Sequence, residues 1–133
     1  MQVIIFELQG KQYAIKTDQI EEISRLLDIT FVPNAPHYIK GLVNLRGNVI
    51  TLMDISKLLN LELQDEDYTN IIIAKVHKEL VGILVGNVWE VMNIKKDMVE
   101  RIDIGEEENQ GLKGVIQIQD QIINFLDIEE FIA

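Results

Sequence analysis

The sequence predicts an all-β chain made of two copies of one small curved sheet or barrel, sharing a core. Three observations carry this. Apolar residues follow a period of two or come in short solid runs rich in Val and Ile, which is the habit of strands. Turn-forming residues such as Gln9-Gly10, Pro33, Pro36 and Gly47-Asn48 separate these runs. The second half of the 133-residue chain then repeats the pattern of the first.

In chain order, Val3–Leu8, the turn Gln9-Gly10-Lys11-Gln12 and Tyr13–Ile15 spell a hairpin, and Ile20-Glu21-Glu22-Ile23 a further strand. Pro33 and Pro36 fix a loop, because a proline has no N–H to offer a central strand. Leu42–Leu45 and Val49–Met53 flank Arg46-Gly47-Asn48, a second hairpin with a Gly-Asn turn. Asp54 precedes Ile55, Leu58 and Leu59 at i, i+3, i+4 spacing, the signature of a short helix with Asp54 as its N-cap.

A shift of 68 residues lays Val3–Leu8 on Ile71–Val76 and Ile20–Ile23 on Val88–Val91. A shift of 73 lays Lys40–Val43 on Lys113–Ile116 and Val49–Ile55 on Ile122–Ile128, continuing through Leu58-Leu59 to Phe131-Ile132. The five-residue difference predicts an insertion, with Gly105–Asn109 as the candidate. Residues 1–133 therefore read as one domain with approximate halves 1–67 and 68–133. A half of about 65 residues is marginal alone, so the two should share a core. Leu61–Tyr68, acidic toward its end, reads as an exposed connector, and a groove between the units as the default docking place.

Composition narrows the function. Twelve Lys and Arg against 22 Asp and Glu give a formal net charge of −10, a field that repels phosphate backbones and anionic lipid. Nucleic acid is thereby set aside as a partner. The absence of cysteine excludes disulfides, a thiolate nucleophile and a zinc ribbon. Met1–Glu7 lacks the basic start of a signal peptide, and the apolar stretch Leu80–Trp89 is broken at Gly86-Asn87, short of the roughly 20 residues of a membrane span. The expectation is a cytoplasmic protein with no direct membrane insertion.

A duplicated fold invites one catalytic alternative, a small hydrolase using Asp54 and Asp127 as a symmetric carboxylate pair. Both, however, stand directly before a helical pattern, and Glu130 follows Asp127 by three residues as in a capping box, so helix capping is the preferred reading. His37 and His77 have no second ligand at metal spacing, and Ser24 and Ser56 lie in no nucleophile elbow. Gly82 and Gly86 point to close packing or a bulge, Trp89 to core or rim packing, and Asp65–Asp67 and Glu106–Glu108 to solvated loops. No catalytic residue, metal site or cofactor is expected. The copies differ instead at the hairpin: Asn44-Leu45-Arg46-Gly47-Asn48 in the first stands where Gln117-Ile118-Gln119-Asp120-Gln121 stands in the second. Arg46 is a cation added to one copy only; alone it predicts a weak surface ion pair, beside a groove a held guanidinium.

The segment Ile29–Gly47, with Pro33, Pro36 and the Asn-Leu-Arg-Gly element, closely resembles the signature of the CheW family of bacterial chemotaxis coupling proteins. The resemblance extends through Tyr13–Ile15, Ile20–Ile23, Val49-Ile50, Asp54, Val81-Gly82, Val88–Val91 and Leu126-Asp127. Relatives often carry Pro where this chain has Thr51 and Asp where it has Gly86. The resemblance implies two intertwined five-stranded SH3-like β-barrels with short helices, and a non-enzymatic adaptor between the chemoreceptor cytoplasmic tip and the regulatory domain of the histidine kinase CheA. It implies a cytoplasmic protein recruited to membrane-associated receptor arrays. Carried over by position, Ile20, Glu22, Asn44 and Arg46 are the implied receptor-binding residues, and Gly41, Asn48, Ile50, Arg101 and Ile104 the kinase-binding ones.

Overall fold

The computed structural model describes residues 1–59, 68–101 and 112–132. Its strands are Gln2–Leu8 (β1), Lys11–Lys16 (β2), Ile20–Arg25 (β3), Ile39–Leu45 (β4), Asn48–Asp54 (β5), Asn70–Val76 (β6), Glu79–Val85 (β7), Val88–Asn93 (β8), Val99–Arg101 (β9), Leu112–Ile118 (β10) and Gln121–Leu126 (β11). Two short helices, Ile55–Leu58 (α1) and Ile128–Ile132 (α2), follow β5 and β11. Single 3-10 turns at Thr17–Gln19 and Lys96–Met98 lead into β3 and β9.

The strands form a six-stranded sheet, β8-β1-β2-β11-β10-β9, and a five-stranded sheet, β3-β6-β7-β5-β4. Under the internal repeat, β1, β2, β3, β4 and β5 correspond to β6, β7, β8, β10 and β11, so the two sheets have the same strand order. Each takes a hairpin from one half of the chain and its remaining strands from the other, β8–β11 in the six-stranded sheet and β3–β5 in the five-stranded one. The halves are intertwined through the parallel pairs β2–β11 and β5–β7. The sixth strand, β9, covers β10; in the other sheet that place is taken by a bridge from Thr30 to Leu42. Register shifts also recur at equivalent places, in β3 after Ile20 and in β8 before Glu90, and in β4 before Gly41 and in β10 before Gly114. A bulge bends a strand and raises its twist, which helps a small sheet curl.

Burial follows from the alternation of side chains along a strand. In β1, Val3 and Ile5 join one apolar cluster with Ala14, Ile116, Ile123 and Phe125, while Ile4, Phe6 and Leu8 join the other. That second cluster reaches from the six-stranded sheet into the five-stranded one, taking in Val43, Ile50, Leu52, Ile72 and Ile83. The solid apolar runs of β1 and β6 are thus strands buried on both faces, and the shared core is the reason they are solid. Phe6 and Tyr13 stack at 5.7 Å across the first hairpin, where burial pushes the Tyr13 hydroxyl above its ordinary pKa.

Several sequence expectations are refined. The second hairpin turns on Arg46-Gly47, both with positive φ (51° and 88°), rather than on Gly47-Asn48, which already opens β5. Two-residue hairpin loops demand that left-handed backbone, so an arginine here is held in a conformation that a glycine would take more easily. Trp89 is not packed away: it is the extra residue at the β8 bulge, 59% exposed, with its indole N–H donating to the Glu7 carboxylate. Tyr68, at the end of the connector, is buried. Gly82 meets the close-packing expectation, since a Cβ there would lie 3.1 Å from both Ile71 and Leu52 side chains. Gly86 lies at a bend after β7, where its N–H donates to the Glu7 carbonyl. The proposed insertion Gly105–Asn109, the acidic runs Asp65–Asp67 and Glu106–Glu108, and most of the connector lie outside the described residues.

Candidate interaction site at the β3 and β4 edges

β3 and β4 are the two edge strands of the five-stranded sheet, and a sheet curled into a barrel brings its edges together. An ion pair spans them. The Arg46 guanidinium at the β4–β5 turn grips Glu22 on β3 with both Nη atoms, Nη1 donating to Oε2 at 3.2 Å and Nη2 to Oε1. Glu22 follows the β3 bulge and lies opposite Ile73. Asn44 supports the turn from below: its Oδ1 accepts the Gly47 N–H at 2.8 Å. Ile20 is half-buried against the shared core. Of the four residues expected on the receptor side, two form the ion pair, one fixes the turn that presents it and one anchors the strand.

The pair remains solvent-accessible, with the Arg46 side chain 69% exposed and Glu22 32%. Its hydrogen bonds to Arg46 hold the Glu22 carboxyl below the usual range, with the Coulombic attraction adding to them, and raise the guanidinium's proton affinity in turn. Because folding favours ionised Glu22, the pair's contribution is present above the ordinary glutamate pKa, ~4.3, and is lost as pH falls through the depressed value. A carboxylate NMR titration is expected to find Glu22 titrating below ordinary glutamates and returning to their range in Arg46→Ala. An ordinary midpoint in the wild type would mean that the pair does not persist in solution. The equivalent positions in the other sheet hold Glu90 and Gln119, so the repeat does not reproduce this ion pair.

The residues expected on the kinase side are placed less uniformly. Asn48 is exposed at the start of β5, next to Val49, which is 67% exposed. Ile50 is buried at 1% exposure, so it can serve a partner only by shaping the hairpin. Gly41 is also buried, and its role is steric: a Cβ would stand 2.4 Å from the Thr30 carbonyl oxygen. Arg101 ends β9, and Ile104 lies outside the described residues. Phe31, 78% exposed in the loop after Thr30, was not singled out from sequence, since Ile29 and Val32 beside it read as part of the same apolar run.

The aspartates are committed to helix starts. Asp54 Oδ1 accepts the Ser56 N–H at 3.1 Å and the buried hydroxyls of Ser56 and Tyr68, which themselves lie 2.7 Å apart. Asp127 accepts the Glu129 N–H at 3.0 Å. Glu130, three residues after Asp127, pairs with Lys113. The hydrolase alternative gains no support from this arrangement. Among the described residues, no group of three or more His, Asp or Glu side chains could hold a metal ion, and no helix is long and apolar enough to cross a membrane.

Comparison with known proteins agrees with the architecture. Residues 2–133 match the family model described as CheW-like domain. The chain is 29% identical over 98% of its length to the chemotaxis protein CheW of Thermotoga maritima, covering 87% of that protein. It is 30% identical over 94% of its length to the chemotaxis protein CheW of Bacillus subtilis, covering 82%. Among solved structures it resembles the scaffolding protein TtCheW from Thermoanaerobacter tengcongensis, with a TM-score of 0.88 at 23% identity, over 99% of this chain and 87% of that one.

Proposed function

The chain belongs to the CheW-like domain family and is a chemotaxis adaptor, and from that premise we propose that its partners are the chemoreceptor cytoplasmic tip and the regulatory domain of the histidine kinase CheA. It acts by binding, without catalysing a reaction, in the cytoplasm at membrane-associated receptor arrays. The observation that best supports the assignment of surfaces is that Arg46 and Glu22, implied as receptor contacts from positions 24 residues apart, meet as one fork-to-carboxylate unit. With Ile20 and Asn44 they form the receptor side. Gly41, Asn48, Ile50, Arg101 and Ile104 form or shape the kinase side.

Coupling of this kind is thermodynamic. An adaptor shifts the kinase between active and inactive arrangements only by its differential affinity for the two. Apolar side chains of a receptor helix supply affinity, and Arg46 sets register through a carboxylate or carbonyl that competes with Glu22. Pull-down with a receptor cytoplasmic fragment and, separately, with CheA is expected to retain the chain in both cases. Failure to bind either partner would refute the assignment.

A further inference from the structure

We draw no further inference here: the strongest candidate, the exposed apolar patch of Trp89 and Val91 on the β8 edge of the six-stranded sheet, carries nothing because nothing in the structure shows what covers it.

Discussion

Arg46→Ala is expected to abolish receptor-dependent control of CheA in a reconstituted receptor–kinase assay while leaving the thermal transition nearly where it was. The side chain is largely exposed, so its removal empties no core. The backbone at φ 51° is no worse for alanine than for arginine, and Arg46→Gly should relieve that strain, giving a protein at least as stable and equally uncoupled. The double exchange Arg46→Glu with Glu22→Arg separates two roles. It restores an ion pair across the sheet edges but reverses the charge shown to a partner. If the guanidinium is what the receptor reads, the exchanged protein stays uncoupled; recovery of control would make the pair a structural clasp.

Ile72→Ala is expected to cost about 2–5 kcal/mol, the largest stability effect of any single truncation named here, and to lower one cooperative transition rather than split it. Ile72 is fully buried in β6, between β3 and β7, within the cluster that spans both sheets. Because each sheet borrows a hairpin from the other half, neither half has a complete sheet of its own. A melt showing two separated transitions, or a loss confined to one sheet by hydrogen exchange, would contradict a shared core.

Much of this was legible in the sequence because it depends on local pattern. The ungapped match from Val49–Ile55 to Ile122–Ile128 announced equivalent strands ending in a capped helix, and Asp54 and Asp127 cap as spacing requires. The solid runs Val3–Leu8 and Ile71–Val76 marked strands buried on both faces. What escaped depends on register between distant segments. Nothing in the residues of β3 says that Glu22 will face the β4–β5 turn, because that follows from curling the sheet until its edges meet. Alternation left Trp89 open to core or rim packing, and the bulge decides against the core by turning it outward. The steric part of Gly41, whose missing side chain admits the Thr30 bridge, was equally out of reach.

The measurement that bears most directly on the adaptor is simultaneous occupancy. Co-sedimentation of CheA with a receptor cytoplasmic fragment, with the chain present and absent, should show the two large partners associating only when the chain is added, in a complex containing all three. If saturating receptor fragment instead displaced CheA from the chain, one surface would be serving both partners, and the molecule could not bridge them.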